Sequence, residues 1–341
     1  MQFREYLPLA PYTTFRIGGP ARWFAETASE EDILEAVQFA RSRDLPLFIL
    51  GGGSNLLVSD ECFPGLVLHI ASKGIEQQGS VFHVAAGEEW DGFVSHAVAK
   101  NYAGIECLAG IPGTVGGTPV QNVGAYGQEV AETIVAARVL NLATQRFEEL
   151  APQQCGFAYR SSIFNSTARE RYIVTRVDYK LTPNGNPRIA YVDLKKYFGE
   201  ASSPTLTEVS TTVREIRRGK GMLIVAEDLD CRSAGSFFKN PIISGEHFAR
   251  IAAQHGGEVP NYPASNGTVK LPAAWLLDQA GFHKGYVLGP AGISSRHTLA
   301  LINRGDARAA DILALRDRII AEVEKRFEIR LEPEPVWLGP A

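Results

Sequence analysis

A serine in an unusual setting is the first residue of this chain that could do chemistry. Residues 234–241 read AGSFFKNP, so Ser236 stands between a glycine and two phenylalanines, with Lys239 and Asn240 close behind. A serine hydroxyl is a very weak acid and can donate a proton only where neighbouring groups deliver and stabilise it. The same letters also describe a turn packed by its two aromatic rings. The segment is therefore either a proton-donating site or a packing turn.

Basic side chains form two further candidates. Arg160 lies in residues 155–164 (CGFAYRSSIF), which hold few other charges. An arginine is always protonated and presents a fork of donors, although a surface salt bridge is a common alternative role. Arg217 and Lys220, with Arg214 and Arg218 beside them, close a helical pattern. They could capture a diphosphate, or they could form a solvated basic end that suits the helix dipole.

Acidic side chains recur near the end of the chain, where Glu332 and Glu334 flank Pro333. Glutamates are mostly solvated in folded proteins, and a terminal segment gives no reason to expect otherwise. The residues alone therefore favour no chemical role for either carboxylate.

Two glycine-rich segments are the elements that would position such groups around a ligand. The first, residues 51–56 (GGGSNL), leads from one apolar run into another strand rather than into a helix, which argues against a Rossmann turn. The second comprises residues 110–118 (GIPGTVGGT) and 121–127 (QNVGAYG). Without Cβ atoms, such loops can adopt φ > 0 and point several N–H groups at one anion. One loop alone would indicate a tight turn, but two in one domain favour a large ligand with a diphosphate.

In order and spacing, these segments resemble the FAD-binding domain of the UDP-N-acetylenolpyruvoylglucosamine reductase (MurB) family. That family belongs to the flavoprotein superfamily of vanillyl-alcohol oxidase and para-cresol methylhydroxylase. The resemblance implies an α+β fold, with an FAD-binding domain of two α+β subdomains and a C-terminal α+β substrate domain. The implied boundaries are 1–70 for the first subdomain, which the tail 328–341 joins, 71–185 for the second, and 186–327 for the substrate domain.

The resemblance also implies a non-covalent FAD, with NADPH as co-substrate. The family reduces the enolpyruvyl group of UDP-N-acetylglucosamine enolpyruvate to UDP-N-acetylmuramate, a peptidoglycan precursor, so the expected enzyme is a UDP-N-acetylmuramate dehydrogenase. The cofactor-binding residues, carried over position by position, are Gly51, Gly52, Gly53, Ser54, Asn55, Leu56, Gly110, Pro112, Gly113, Thr114, Gly116, Gly117, Asn122, Gly124, Ala125 and Tyr126.

Three side chains are implied to be catalytic. Arg160 would face the flavin and stabilise a developing enolate, Ser236 would protonate the substrate carbon, and Glu334 would help to hold the intermediate. Residues 221–229 (GMLIVAEDL) depart from the family pattern, because they are longer and more apolar than the usual Pro-rich link. The implied substrate-binding residues are Tyr159, Lys220, Asn240, Lys270, His297 and Tyr191, the last in a loop that closes over the nucleotide and marks the first of two subtypes.

Hydrophobic periodicity predicts the elements that carry these residues. Ser29, followed by three acidic residues, predicts a capped helix start, and residues 182–187 (TPNGNP) are the strongest linker candidate. The final helix, residues 306–327, is expected to bury Ile312, Leu315, Ile319 and Val323. The other expected elements are strands at 21–25, 47–50, 56–58, 65–70, 81–86, 135–142 and 172–181, and helices at 90–100 and 206–216.

Composition excludes several classes of protein. A chain of 341 residues is too long for one ordinary core and suggests two or three domains. The formal net charge of −4 argues against a nucleic-acid partner. No signal-peptide pattern or membrane-length apolar run is visible, so we expect a cytoplasmic protein with no membrane partner. The four cysteines form no Cys-x-x-Cys pair or Cys/His cluster, so no metal is expected. We expect a monomer.

Two other functions fit the glycine-rich segments. An oxidase of the same superfamily would use dioxygen on an alcohol or sugar, but such enzymes often tether FAD through His or Tyr, and no Arg-Ser-Gly-Gly-His type motif is present. A flavin- or nucleotide-binding module without turnover would not need Arg160, Ser236 and Glu334 together. Fold analogy alone does not separate these functions.

Overall fold

The computed structural model describes residues 1–199 and 203–339, which form two compact units. Unit 1 comprises Met1–Leu7, Pro20–Gly53 and Cys62–Gly219. Unit 2 comprises Pro8–Gly19, Ser54–Glu61 and the chain from Lys220 onward. Each unit has a hydrophobic core of its own. The first glycine-rich segment therefore contributes residues to both units.

The strands and helices are numbered in chain order, and each one expected from periodicity is confirmed, with ends shifted by a few residues. The strands are β1 (Phe3–Pro8), β2 (Pro20–Thr27), β3 (Leu47–Leu50), β4 (Leu56–Val58), β5 (Phe63–Ile70), β6 (Ile75–Gln78), β7 (Val81–Ala85), β8 (Tyr102–Ala103), β9 (Gly124–Ala125), β10 (Gln128–Glu129), β11 (Ile134–Asn141), β12 (Arg146–Leu150), β13 (Tyr172–Lys180), β14 (Thr182–Pro183), β15 (Ile242–Ser244), β16 (Tyr262–Pro263), β17 (Thr268–Lys270), β18 (Val287–Leu288), β19 (Ala291–Ile293), β20 (Leu301–Asn303) and β21 (Val336–Leu338). The helices are α1 (Glu30–Ser42), α2 (Trp90–Ala99), α3 (Pro152–Cys155), α4 (Val192–Phe198), α5 (Leu206–Gly219), α6 (Gly245–His255), α7 (Ala273–Gln279) and α8 (Ala309–Phe327). Across the described part of the chain, no helix combines the length and the apolar character needed to cross a membrane.

The first sheet of unit 1 has the strand order β1-β2-β5-β3. β5 pairs in parallel with both β2 and β3. Parallel strands need a crossover connection, and α1 provides it between β2 and β3. This helix buries Ile33, Ala36, Val37 and Ala40. The first glycine-rich segment follows the carboxyl end of β3, which is the edge of a parallel sheet where ligands commonly bind.

The second sheet of unit 1 is antiparallel, in the order β12-β11-β13-β7-β6. Phe82 of β7 and Tyr179 of β13 point to the same face, where their rings lie 5.8 and 5.1 Å from the ring of Phe93 in α2. Trp90 joins this cluster, and its indole N–H donates to the carbonyl of Leu108 at 3.0 Å. Large aromatic side chains dominate the energetics of such a core because each buries so much surface.

The turn-rich residues 182–187, expected as a linker, lie inside unit 1. Thr182–Pro183 form β14, which pairs with β8. Helix α5 also belongs to unit 1, where it buries Leu206, Val209 and Val213. The division between the units therefore falls after Gly219. A turn-rich sequence predicts a turn, but it does not show which core the next amphipathic helix will join. The domain boundaries implied by the family resemblance stay a prediction.

Helix α8 is the largest element of unit 2. The Asp60 carboxylate caps it by accepting the N–H groups of Ala309 at 3.0 Å and Ala310 at 3.3 Å. Two three-stranded sheets, β15-β17-β16 and β18-β19-β20, and the parallel pair β4–β21 complete the unit. The helix buries the face expected from the sequence, namely Ile312, Leu315, Ile319 and Val323.

Helix α1 allows a test of its capping chemistry. Ser29 Oγ accepts the N–H of Asp32 at 3.2 Å, and the Asp32 carboxylate accepts the N–H of Ser29 at 3.2 Å, which is a capping box. We predict that Ser29→Ala lowers the unfolding free energy of unit 1 by about 1 kcal/mol, because a helix-end N–H loses its acceptor. Calorimetry measures the change.

The control is Ser42→Ala, at the exposed far end of the same helix, where the hydroxyl donates to the carbonyl of Phe39. This change should alter the unfolding free energy by less than about 0.5 kcal/mol. Equal losses in the two variants would contradict the capping role of Ser29.

Candidate active site

The two glycine-rich segments touch through their backbones within unit 1. A Cβ atom on Gly52 would lie 2.6 Å from Cα of Gly113, and one on Gly51 would lie 2.8 Å from Oγ1 of Thr114. Real Cβ atoms essentially never approach other heavy atoms closer than 3.0 Å. Gly113 also has φ +124°, a conformation that residues with side chains rarely adopt. The contact therefore requires glycine in both segments.

The first segment can bind an anion. Gly53 is buried and has φ +61°. Within residues 1–199 and 203–339, the N–H groups of Gly52 and Gly53 donate to no acceptor of the protein. Gly52 is exposed, but a residue as buried as Gly53 rarely leaves its N–H without an acceptor, and successive N–H groups in such a turn form a concave site for anions. The residues present therefore fit the diphosphate of a dinucleotide such as FAD.

The second segment rests on the core of unit 1. The N–H of Gly116 donates to the carbonyl of Ala86 at 2.8 Å, and a Cβ atom on Gly116 would lie 2.6 Å from Cβ of Ala86. The hydroxyl of Thr118 shares a 2.6 Å hydrogen bond with the hydroxyl of Tyr179, whose ring packs in the aromatic cluster. The segment is thus held in place by groups that are already buried.

Arg160 is bound to this second segment. Its Nη1 atom donates to the carbonyl of Gly124 at 3.0 Å, and its backbone has φ +53°, which is uncommon for a residue with a side chain. Asn122 links the same parts of the chain, because its amide donates to the carbonyl of Ala158 at 3.2 Å and to Glu129 at 2.8 Å. The structure therefore brings Arg160 to the expected cofactor residues, and it shows the side chain of Asn122 supporting that arrangement.

Arg217 lies in the interior of unit 1 and is only 9% exposed. Its Nε atom donates to the carbonyl of Gly110 at 2.9 Å, and its guanidinium hydrogen-bonds Tyr126. Burial lowers the pKa of Arg217, while Tyr126 and Asp91 act in the opposite direction. Asp91 accepts the N–H of Gly110 at 2.6 Å and pairs with Arg214 at 2.7 Å. Arg217 and Arg214 therefore support the second segment, which differs from both roles that the sequence suggested for this basic cluster.

In unit 2, the tail of the chain returns to the serine motif. The N–H of Glu334 donates to the carbonyl of Phe237 at 2.9 Å, and Phe238 forms an antiparallel β-bridge with Pro333. Ser236 immediately precedes Phe237. Since backbone hydrogen bonds join the two segments, Ser236, the implied proton donor, and Glu334, the implied carboxylate, lie on adjacent segments of unit 2.

Asn55 fastens the same tail. Its side-chain amide donates to the carbonyl of Glu334 at 3.2 Å, and its own carbonyl accepts the N–H of Val336 at 2.9 Å. β4 begins at Leu56, which lies opposite Val336 in the parallel pair β4–β21. The end of the first glycine-rich segment therefore positions the backbone of Glu334.

Three more of the expected substrate residues belong to unit 2. Asn240 Oδ1 accepts the N–H of Ala273 at 2.8 Å, so it holds the start of α7. The Lys270 ammonium lies 5.8 Å from the ring centre of Tyr262 on the neighbouring strand. His297 Nδ1 accepts a backbone N–H two residues further along, at 3.2 Å. Each side chain is thus oriented by its own local contacts.

A charged cluster that the sequence did not predict holds the stretch that departs from the family pattern. Arg296 donates to Asp228 at 2.5 Å and to Asp230 at 2.9 Å, and Ser295 Oγ donates to Asp230 at 2.6 Å. Burial alone would raise the pKa of both carboxyls. The hydrogen bonds and the positive charge of Arg296 outweigh burial, and Asp230 also accepts hydrogen bonds from Ser295, so the pKa values of Asp228 and Asp230 are both lowered. The only signal in the sequence was an Asp-x-Asp spacing, which is too common to be informative.

The expected residues are divided between the units. Unit 1 contains Arg160, the exposed Tyr159, and Tyr191, whose ring centre lies 5.4 Å from that of Tyr126. The expected residues in unit 2 are Ser54, Asn55, Leu56, Lys220, Ser236, Asn240, Lys270, His297 and Glu334.

No group of three or more His, Cys, Asp or Glu side chains in the described residues is arranged to hold a metal.

Known proteins match the whole length of this chain. A model of an FAD binding domain matches residues 21–149, and a model of the C-terminal domain of UDP-N-acetylenolpyruvoylglucosamine reductase matches residues 227–338. The chain is 46% identical to the UDP-N-acetylenolpyruvoylglucosamine reductase of Thermobifida fusca (strain YX), over 99% of this chain and 98% of that protein. It is 45% identical to the protein of the same name from Streptomyces coelicolor, over 98% and 90%.

A solved structure agrees with these matches. The crystal structure of UDP-N-acetylenolpyruvylglucosamine reductase from Thermus caldophilus has a TM-score of 0.69 to this chain, with 28% identity, and covers 99% of this chain and 100% of its own. The FAD domain match contains both glycine-rich segments, and the C-terminal match contains Ser236 and Glu334.

The buried arginine gives a prediction for unit 1. Arg217→Met keeps most of the buried volume but leaves the carbonyl of Gly110 and the hydroxyl of Tyr126 without the donors that the guanidinium supplies. We expect a loss of about 3 kcal/mol in the unfolding free energy of unit 1, measured by chemical denaturation. Arg218→Met, at an exposed neighbouring position, is the control and should change it by less than about 0.5 kcal/mol. If both variants were equally stable, the buried role of Arg217 would be wrong.

The charged cluster gives a pH-dependent prediction for unit 2. Because the folded pKa values of Asp228 and Asp230 are lowered, their stabilisation is present above about pH 4, the ordinary pKa of aspartate, and is lost as pH falls through the lowered values. Arg296→Met should lower the unfolding free energy by about 2 kcal/mol at pH 7, and the deficit should shrink below about pH 4. Thermal denaturation across this pH range measures the difference.

The control is Arg250→Met, which breaks an exposed pair with Glu328 at 3.3 Å. Exposed pairs contribute about 0–1 kcal/mol, so this variant should follow the parent protein at each pH. An Arg296→Met deficit that stays constant down to about pH 2 would rule out the linkage to the two aspartates.

Proposed function

Because this chain belongs to the UDP-N-acetylenolpyruvoylglucosamine reductase family, we propose that it binds FAD and uses NADPH to reduce the enolpyruvyl group of UDP-N-acetylglucosamine enolpyruvate, giving UDP-N-acetylmuramate for peptidoglycan synthesis. Family membership rests on 46% identity over 99% of the chain. The geometric observation that supports it most directly is the hydrogen bond from the Glu334 N–H to the Phe237 carbonyl, 2.9 Å long, beside Ser236. A binding module without turnover would have no need of that arrangement.

The glycine-rich segments are the proposed FAD site. Gly53, buried and with φ +61°, and its neighbours offer N–H groups to the diphosphate, and the close approach of Gly52 to Gly113 brings the second segment alongside. When bound, FAD supplies the transfer of a hydride from NADPH to the substrate. The protein's part is to bind this group without covalent attachment and to orient it.

Arg160 is proposed to stabilise negative charge on the substrate. Addition of a hydride to the terminal vinyl carbon leaves charge on the adjacent carbon and its carboxylate. A guanidinium is always charged, and the hydrogen bond to Gly124 at 3.0 Å holds this one in a fixed orientation. Donors fixed before the reaction need no reorganisation when charge appears, which is why they lower the barrier most effectively.

Ser236 is proposed to complete the reduction by giving its hydroxyl proton to the carbon that bears this charge. Glu334 is proposed to hold the enol-like intermediate beside it. Phe237 and Phe238 next to Ser236 are 2% and 1% exposed and pack in the core of unit 2, so they anchor the motif. The backbone of Glu334 is hydrogen-bonded to Phe237, the residue that follows Ser236.

We propose that a further set of residues binds the nucleotide substrate. Lys220 and Lys270 provide positive charge for its diphosphate, since lysine binds phosphate as a point charge. We further propose that the enzyme acts as a cytoplasmic monomer, with no nucleic-acid or membrane partner. The other proposed substrate-binding residues are Tyr159, Tyr191, Asn240 and His297.

The role of Ser236 can be tested by separating the two half-reactions in stopped flow. Ser236→Ala should leave flavin reduction by NADPH within about two-fold of the parent, because that step needs no proton from the serine. Reoxidation by the enolpyruvyl nucleotide should slow by a factor on the order of 10²–10⁴, the usual contribution of a general acid. Flavin absorbance follows both steps.

Ser233→Ala is the matched control, because Ser233 lies in the same loop and its Oγ accepts the N–H of Gly235 at 3.2 Å. Loss of this bond disturbs the loop without removing the proposed donor, so both half-reactions should change little and by similar factors. If Ser236→Ala slowed the two half-reactions equally, the serine would not be the proton donor.

A further inference from the structure

Glu106 is a fully buried carboxylate, 1% exposed, in unit 1. It accepts three hydrogen bonds: from the N–H of Gly104 at 2.8 Å, from the side-chain amide of Gln128 at 2.8 Å and from the N–H of Arg188 at 2.9 Å. An ionised carboxylate only accepts, and both of its oxygens here have donors, which come from three different segments. Burying a charge is costly unless donors compensate it in this way, so the three donors hold this carboxylate in one position.

One of these donors belongs to Arg188, a residue that makes three separate contacts. Its N–H donates to Glu106, its carbonyl accepts the thiol of Cys107 at 3.1 Å, and its guanidinium pairs with Glu132 at 2.6 Å. Burial, and then the charge of Glu106, raise the pKa of Cys107, so its sulfur stays protonated and can donate. Arg188 is therefore a fixed point in residues 185–190, which belong to no helix or strand.

Tyr191 follows this fixed point by three residues. Its ring meets that of Tyr126 edge-on, with centres 5.4 Å apart, and Ala190 lies at van der Waals distance, 3.5 Å, from the Cβ position of Gly127. Tyr126 is itself hydrogen-bonded by the buried Arg217. Tyr191 thus lies against the second glycine-rich segment, three residues beyond the attached Arg188.

We propose that Glu106 is a positioning residue for the nucleotide substrate: it fixes Arg188, at the base of the loop that carries Tyr191, and so directs Tyr191 towards the second glycine-rich segment. The proposal rests on the proposed function, in which Tyr191 contacts the nucleotide. A fixed base lowers the entropic penalty of ordering residues 189–191 when this loop closes over the nucleotide. Glu106 acts through Arg188 and contacts no reacting atom, so it should affect substrate affinity and leave the chemical step alone.

The charge of Glu106, rather than its size, should be essential. In Glu106→Gln, one carboxylate oxygen becomes an NH₂ group, which must face either the Gly104 N–H or the donors of Gln128 and Arg188. Rotating the Gln128 amide does not relieve this, because its Oε1 already accepts the N–H of Cys107 at 2.8 Å. Glu106→Gln, although nearly the same shape, therefore brings its NH₂ group against at least one buried N–H donor. Two donors that face each other without an acceptor destabilise the structure around residue 106.

The experiment compares Glu106→Gln with Glu132→Gln. The control removes the exposed partner of the same Arg188 and keeps the buried one. Hydrogen exchange of residues 188–191, measured on the FAD-bound protein without substrate, should rise in Glu106→Gln and stay at the parent level in Glu132→Gln. The Kd of the enolpyruvyl nucleotide, from its perturbation of the oxidised flavin spectrum, should rise on the order of ten-fold in Glu106→Gln only. The kcat at saturating substrate should stay within about two-fold.

The proposal is overturned if Glu106→Gln matches Glu132→Gln in both exchange and nucleotide affinity, or if kcat falls while Kd is unchanged. The exchange measurement needs no turnover, so it still tests the attachment of Arg188 if the parent protein fails to reduce the nucleotide and the proposed function is wrong.

A second pair of variants applies if Glu106→Gln does not fold. Cys107→Ala removes the other internal donor to Arg188, and Cys107→Ser keeps a donor there. The alanine variant should raise exchange at residues 188–191 and the nucleotide Kd, and the serine variant should restore both. If alanine and serine behave alike, the attachment of Arg188 does not position Tyr191.

Discussion

The arrangement of this protein depends on a backbone contact that only glycine permits. Gly52 of one segment lies so close to Gly113 of the other that a Cβ atom on Gly52 would approach within 2.6 Å of its Cα atom. Two loops that touch in this way can share one large ligand, because neither keeps side chains between the ligand and its own N–H groups. The same closeness makes the segments sensitive to anything that shifts them, so the surrounding structure must hold both in place.

Charged and polar side chains do much of that holding. Arg217 and Asp91 bind the two sides of Gly110, Asn122 ties the second segment to the chain before Arg160, and Glu106 gathers donors from three segments. Each such group loses water on burial and regains stability only through well-directed partners. Such networks fix one geometry, whereas apolar packing alone tolerates small shifts. A site that must orient a cofactor and a substrate benefits from this.

The sequence predicted the elements and the glycine-rich segments well, because both have local signals. The face of α8 follows from helical spacing, and the capped start of α1 from Ser29 and Asp32. The support of the site was not predictable in the same way. Nothing near Arg217 indicates that it reaches Gly110, more than a hundred residues earlier, and nothing near Asn55 indicates that it holds Glu334. Such contacts depend on where distant elements meet, so the sequence suggested only a diphosphate site or a solvated basic end for Arg217 and singled out no role for Glu106.

The most direct test of the central claim is the absorption spectrum of the purified protein before and after NADPH is added, with and without UDP-N-acetylglucosamine enolpyruvate. If the glycine-rich segments hold FAD beside a reductase site, the protein carries a dissociable yellow flavin that NADPH bleaches and the nucleotide restores. A protein that is colourless and takes up no added FAD would contradict the account, as would a flavin that NADPH reduces but the nucleotide never reoxidises.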